Sequence, residues 1–335
     1  MNAALPDPGL LARARLLTAP GLAPAVRDGL AEITGRPWAA HPEPVASGGP
    51  VDGPVDGPVD GPVGEPVVYV GATRPAGLAE GDLLWFHSVN AGTDALLAPG
   101  PWPAGALLTR TVGRMGARIA QYVLAWVLAE CQSVTEFAGM HAREEWRRMP
   151  SELAAGQTAL VHGTGRIGSA VASRLRACGL RTVGVARTVP AVPPPGFDRV
   201  VPAGGDGERK ALGEARWVVA ALPLTPATEN YFGAERFGAV RGASFVNVGR
   251  GATVDLAALG EALRAGSVRR AVLDVLPTEP AAPGDPCWRL PRTVVTSHSA
   301  GITADEDVLT DFAACWAQLR AGRRPDLTVD VVRGY

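Results

Sequence analysis

The chain has 335 residues, 47% of them hydrophobic and 19% charged, with a formal net charge of −1. That length allows two domains of ordinary size, each with its own core, and the composition is that of a globular protein. The near-neutral balance excludes a basic surface for nucleic acid and an acidic tail for a basic partner.

The N-terminal MNAALPDPGLLARARLLTAP has no apolar core flanked by a cleavage site, so no signal peptide is expected. Residues 41–66 carry VDGP three times, at 51–62, followed by VGEP. Proline at every fourth position removes backbone donors and glycine adds unfolded entropy, so the segment predicts a disordered Pro/Gly insertion in a surface loop. VVYV (67–70) and LLWFHSV (83–89) read as buried strands. Residues 115–131 read as a helix with an apolar face, and its apolar core at 119–131 is too short to span a bilayer. From 157 strands and helices alternate. QTALVHG (157–163), RTVGVA (181–186), ARWVVAAL (215–222), ASFVNVG (243–249), AVLDVL (271–276) and TVVTSH (293–298) are short strands. SAVASRLRACG (169–179) and AALGEALRAG (257–266) are helices. The alternation predicts an α/β fold with a parallel sheet covered on both faces. Cys131, Cys178, Cys287 and Cys315 lie far apart with no CxxC spacing. No zinc or other metal site is expected, and a reducing compartment, the cytoplasm, fits best.

Between the first of these strands and its helix, HGTGRIG sets Gly163, Gly165 and Gly168 in GxGxxG spacing. The strand before and the helix after give the pattern its meaning, a dinucleotide-binding turn. Gly163 makes the turn, Gly165 admits a pyrophosphate, and Gly168 lets helix and sheet pack closely. The helix N-terminus offers amides to the phosphates. An acid about 20 residues further on would favour NAD. Here Arg187 stands in that place, followed by Thr188. A guanidinium binds a 2′-phosphate through charge-assisted hydrogen bonds and a hydroxyl adds a donor, so NADP(H) is the preferred cofactor, with NAD(H) possible.

Downstream, polar groups follow one apolar strand after another, where ligands sit in an open α/β sheet. Arg250 lies in FVNVGRGATVD, Asp274 and Glu279 in VLDVLPTEP, and His298 in VVTSHSAGIT. They suit hydride transfer to a ketone. His298 can give the proton as general acid, since imidazole titrates near neutrality. Glu279 can orient its ring, and Arg250 can grip a carboxylate and polarise the adjacent carbonyl. Singly, each is ordinary at a surface; in this order behind a GxGxxG they form a catalytic set.

The run GTGRIG, LPLTPATEN, NVGRG, DVLPTEP, SHSAG resembles the D-isomer-specific 2-hydroxyacid dehydrogenase family, which includes glyoxylate/hydroxypyruvate reductases and phosphoglycerate dehydrogenase. The resemblance covers about residues 80–335 and takes in LLWFHSVNAGTDAL, IAQYVLAWVLA and VDVVRGY. It implies two Rossmann-like domains, a doubly wound coenzyme domain inserted into a flavodoxin-like substrate domain. Residues 1–105 plus 305–335 would bind substrate and 106–304 NAD(P). The catalytic residues would be Arg250, Glu279 and His298. Coenzyme contacts would come from Gly163, Gly165, Arg166, Ile167, Gly168, Arg187, Thr188, Leu222, Pro223, Thr228, Val248 and Gly249, with Asp274 on the nicotinamide. The amides of Val89, Asn90, Ala91 and Gly92 would receive the substrate carboxylate beside Arg250 and His298. A homodimer would form near helix 115–131.

Three positions depart from the family pattern. Ser297 replaces a proline, which predicts a looser His298 loop; Gln121 replaces a frequent glutamate; Asn90 replaces a small residue in the carboxylate loop. The expected reaction is reduction of a small 2-keto acid, glyoxylate- or hydroxypyruvate-like, to the D-2-hydroxy acid, with Trp85 and Phe86 narrowing the cleft. Phosphoglycerate fits less well, with no phosphate cluster in the first domain and no regulatory domain expected after 335. Glu279, an ionisable partner for His298, disfavours a formate dehydrogenase. The alternatives are a non-enzymatic NAD(P)-sensing, corepressor-like binding protein and a tailoring dehydrogenase for a bulkier 2-keto acid.

Overall fold

Short apolar runs bounded by glycine and proline fold as strands, and amphipathic runs between them as helices. The computed structural model describes residues 5–41, 64–75, 78 and 81–334. The VDGP repeat at 51–62, expected to be disordered, lies outside the described residues. In chain order the elements are α1 (Pro8–Leu11), β1 (Arg15–Thr18), α2 (Pro24–Thr34), β2 (Trp38–Ala40), β3 (Val67–Gly71), β4 (Leu83–Ser88), α3 (Asp94–Leu97) and β5 (Leu107–Arg110). Then come α4 (Met115–Cys131), α5 (Val134–Ala142), β6 (Thr158–His162), α6 (Arg166–Ala177), β7 (Arg181–Ala186), β8 (Arg199–Pro202), α7 (Gly205–Glu214) and β9 (Trp217–Ala220). They end with α8 (Ala234–Ala239), β10 (Ala243–Asn247), α9 (Leu256–Ala265), β11 (Val268–Leu273), β12 (Thr293–Val295) and α10 (Asp305–Arg320).

The chain divides into two compact units, one of residues 1–114 and 303–335, the other of 115–302. The first holds a five-stranded sheet of order β2-β1-β3-β4-β5, every adjacent pair parallel. Order 2-1-3-4-5 is the flavodoxin-like arrangement. The α10 residues Phe312 and Trp316 pack with Trp85 and Leu107 on one face of this sheet.

Trp85 and Phe86 do not line a cleft. Both are fully buried. Neighbouring strand residues point to opposite faces, and a parallel sheet covered on both sides buries both. Trp85 stacks on Phe312 at 4.8 Å, and Phe86 meets Tyr69 at 5.2 Å and Trp102 at 5.6 Å.

His87 follows them, fully buried, its Nδ1 2.7 Å from Thr109 Oγ1 and its Nε2 3.1 Å from Thr111 Oγ1. Burial pushes the imidazole from 6.5 down to about 3. The unfolded chain therefore takes up a proton that the folded state refuses. The stability involved is fully present above about pH 6.5 and is lost as pH falls towards 3. Between about pH 7 and 5 the expected loss is about 2 kcal/mol. Thermal unfolding of His87→Gln checks it. The variant's acid slope is expected to be shallower than that of the parent, and equal slopes would remove His87 from the account.

The second unit holds a seven-stranded sheet of order β12-β11-β10-β9-β6-β7-β8, again with every pair parallel. The chain winds outward from β6 through β7 to β8, then returns to β9 and winds the other way. The order reverses between β6 and β9, and the crevice at their carboxyl ends is where such a sheet binds ligands. Two apolar clusters, one around Phe237 and Phe245 and one around Val161 and Trp217, form the cores of this unit.

Candidate active site

In the turn after β6, two positions, Gly163 and Gly168, admit only glycine. Gly163 has φ +96°, and a Cβ there would lie 2.6 Å from Ala221 O. A Cβ on Gly168 would fall 1.8 Å from Gly163 O. Gly165, between them, meets no heavy atom within 4 Å of its Cβ position. It is the N-cap of α6, and no side chain caps that terminus. The first amides of α6, beginning at Arg166 and Ile167, thus edge an open approach carrying the positive end of the helix dipole. This fits a dinucleotide pyrophosphate.

Arg187 and Thr188 follow the last residue of β7, both exposed. Among the described residues Arg187 has no ion pair. Past β9, Leu222 is half-buried and Pro223 exposed. The Thr228 hydroxyl braces this segment, donating to Pro223 O at 2.7 Å and accepting from Thr225 N at 2.8 Å.

The next turn is clasped by Asn247, the fully buried last residue of β10. Its Oδ1 accepts from Gly249 N at 3.0 Å and its Nδ2 donates to Arg250 O at 3.1 Å. Val248 and Gly249 are buried, and half-buried Arg250 donates from Nη1 to Gly249 O at 2.8 Å. A Cβ on Gly251 would lie 1.8 Å from the carbonyl carbon of Leu276, so the Arg250 turn rests directly on the loop after β11.

That loop carries the other two groups. Leu276 N donates to Glu279 Oε1 at 2.7 Å, and Glu279 Oε2 lies 2.8 Å from His298 Nδ1. The side chains are open to solvent, 36% for Glu279 and 54% for His298. The fold thus brings the Arg250 turn, Glu279 and His298 to one place. Asp274, only 3% exposed, spends its carboxyl on the His298 loop. Its Oδ1 accepts from Thr296 Oγ1 at 2.7 Å, Ser299 N at 2.8 Å and Ala300 N at 3.1 Å, while His298 N donates to Asp274 O.

The family model for the D-isomer specific 2-hydroxyacid dehydrogenase NAD binding domain matches residues 124–300, more than half of the chain. The chain belongs to the D-isomer-specific 2-hydroxyacid dehydrogenase family. It is 32% identical over 264 residues to glyoxylate/hydroxypyruvate reductase A of Serratia proteamaculans, covering 76% of this chain and 83% of that protein. It is 60% identical over 271 residues to a Streptomyces coelicolor protein named for the mprR 3′ region, 80% of this chain and 96% of the relative. The crystal structure of a D-isomer specific 2-hydroxyacid dehydrogenase from Xanthobacter autotrophicus Py2, in complex with NADPH and MES, superposes with a TM-score of 0.81 at 28% identity, over 96% of this chain and 100% of the other.

For a dehydrogenase of this family, Ser297 does not leave the histidine loop loose. Ser297 and His298 have φ +57° and +55°, which proline, fixed near −65°, cannot adopt. The loop is held instead by Asp274 and by Thr296 N donating to Leu273 O at 3.1 Å. Thr296 and Asn247 escaped the sequence reading. The available signal was a polar residue closing or just following an otherwise apolar strand. In the first unit the loop after β4 is partly committed. Val89 N donates to Gly71 O at 3.2 Å and Asn90 N to Ser88 Oγ at 3.1 Å, while Ala91 O accepts from Arg110 Nη1 at 3.1 Å.

Proposed function

We propose that this dehydrogenase reduces a small 2-keto acid, of glyoxylate or hydroxypyruvate size, to the D-2-hydroxy acid with NADPH. The observation that carries the reading is the Glu279–His298 pair at 2.8 Å, in the loop on which the Arg250 turn rests. Glu279 accepts the Nδ1 proton and fixes the ring, so Nε2–H faces the reacting oxygen. Bound nicotinamide supplies the hydride, which adds to the carbonyl carbon. His298 gives its Nε2 proton to the carbonyl oxygen, completing the alcohol. Arg250 binds the substrate carboxylate and draws charge from the carbonyl. Val89, Asn90, Ala91 and Gly92 form the carboxylate loop. With the Val89 and Asn90 amides already bonded, the donors would be Ala91 and Gly92.

Coenzyme is held by Gly163, Gly165, Arg166, Ile167 and Gly168 at the pyrophosphate, Arg187 and Thr188 at the 2′-phosphate, and Leu222, Pro223, Thr228, Val248 and Gly249 along the crevice. Asp274 would hold the nicotinamide carboxamide; its Oδ2 accepts one described bond, from Ala300 N at 3.1 Å. NADPH in the Xanthobacter structure and the name of the Serratia relative support this choice of coenzyme and substrate class.

The active species is a homodimer, its interface in the second unit near α4, where Leu128 and, beyond it in the chain, Val134, Phe137, Trp146 and Leu153 are exposed. Trp146 is 99% and Leu153 81% exposed. An apolar set of this kind marks a protein contact. No helix among the described residues is long and apolar enough to cross a membrane. All four cysteines are free, which supports a cytoplasmic setting. The test follows NADPH oxidation with a panel of 2-keto acids, with sedimentation of the same preparation. Turnover is expected with the small acids. NADPH binding without turnover on any of them would overturn the reading in favour of a coenzyme-sensing protein.

A further inference from the structure

One chain of hydroxyl groups in the second unit belongs to neither the pyrophosphate turn nor the Arg250 turn. Tyr122, half-buried on α4, has its hydroxyl 2.6 Å from Thr296 Oγ1, and Thr296 Oγ1 donates to Asp274 Oδ1 at 2.7 Å. Both hydroxyls have one proton, and the Asp274 carboxyl claims that of Thr296. The remaining contact therefore runs from the tyrosine, whose O–H donates to Thr296. Burial, with Asp274 nearby, pushes the Tyr122 phenol up to about 12, so it stays a donor across any working pH.

The segment these groups grip is residues 296–300. Ser297 and His298 both sit in the left-handed region, which costs free energy for residues other than glycine and persists only where surroundings over-determine it. Asp274 supplies that determination through the Ser299 and Ala300 amides, and Thr296 is its side-chain link back to α4.

We propose that Tyr122 and Thr296 are positioning residues for the reaction, holding Asp274 and the 296–300 backbone so that His298 keeps its Nδ1 on Glu279. The inference rests on the dehydrogenase reading above. Neither residue touches the reacting atoms. Thr296 bonds Asp274 at Oδ1 and leaves Oδ2, the oxygen available to nicotinamide, untouched, so the contribution belongs to kcat, through the aim of the imidazole, far more than to coenzyme affinity.

The experiment compares Thr296→Val, which keeps the shape and loses the hydroxyl, with Thr296→Ser, which does the reverse. In Thr296→Val, kcat for 2-keto acid reduction is expected to fall about tenfold, with the NADPH Kd within about twofold of the parent. In Tyr122→Phe the fall is about threefold. Thr296→Ser recovers most of the rate. Amide hydrogen exchange at 298–300, read without substrate, is expected to quicken about tenfold in Thr296→Val and to stay slow in Thr296→Ser. A Thr296→Val enzyme with parental kcat and exchange overturns the proposal. So does one in which Ser is the worse replacement, or in which kcat and coenzyme affinity fall together, as for a shape-filling residue. Failure of the parent enzyme on every keto acid overturns the dehydrogenase reading instead, and the exchange comparison separates the two.

Discussion

Replacing His298 with alanine is expected to lower kcat for 2-keto acid reduction by about 10²–10⁴-fold, with NADPH affinity within about twofold. The magnitude is that of a positioned general acid, since hydride addition to the carbonyl carbon leaves an oxygen that must be protonated. The geometry restricts the role to one nitrogen. Nδ1 lies 2.8 Å from Glu279 Oε2, leaving Nε2 for the substrate. Glu279 is itself anchored by Leu276 N at 2.7 Å, so the ring is aimed by a group that cannot swing freely. Glu279→Gln keeps an acceptor but removes the charge that stabilises an imidazolium, and a smaller loss, about 10-fold to 10²-fold, is expected. Stopped-flow measurement of the NADPH oxidation step separates chemistry from product release. An unchanged step in His298→Ala would show that the proton comes from another group.

Why was this pair legible in the chain before its geometry was known? The signals were those that chemistry ties to a residue type. Only glycine tolerates the turn at Gly163 and the approach of Gly168 to Gly163 O, so the spacing, read between a strand and a helix, marks the loop. A titratable pair after successive strands of a parallel sheet must arrive at the same edge, because all carboxyl ends point one way. The apolar runs of β6, β7 and β10, buried on both faces of a covered parallel sheet, were legible as strands.

The first unit was harder to read. β1 is the four residues Arg15–Thr18 and β2 is Trp38–Ala40, with no β-branched run and little length to declare a period. Trp85 and Phe86 were open to two readings, since apolar alternation cannot tell a core from a cleft wall when both sheet faces are covered. Asp274 and Thr296 show a different limit. That an acid follows β11 is plain from the sequence. That its Oδ1 accepts from Thr296, Ser299 and Ala300 depends on how the chain returns 22 to 26 residues later. Asn247 is similar, since clasping Gly249 and Arg250 needs a buried turn whose amide directions no local pattern states.

The proposed preference for NADPH rests on a single exposed side chain. Arg187→Asp is expected to raise the KM for NADPH about 10²-fold and to change that for NADH by no more than about threefold. Each charge-assisted hydrogen bond to a phosphate is worth about 1.5–3 kcal/mol, less where water competes. Arg187 is exposed, so two such bonds together give about 2–3 kcal/mol, or 30-fold to 150-fold, and the aspartate adds repulsion of the dianion. The 2′-hydroxyl of NADH carries no charge and accepts an acid as partner, which is why the two coenzymes separate. Arg187→Ala loses the bonds without adding the repulsion and belongs at the low end of that range, with a rise of about 30-fold for NADPH alone. The position is well suited to such a test. Arg187 has no ion pair among the described residues and stands outside both apolar clusters of its unit, so its loss leaves the fold untouched. Steady-state kinetics with both coenzymes at saturating 2-keto acid decide the matter. Equal changes in the two KM values would make Arg187 a solvated surface arginine, and the preference for NADPH would have to come from Thr188 or from Arg166 at the start of α6.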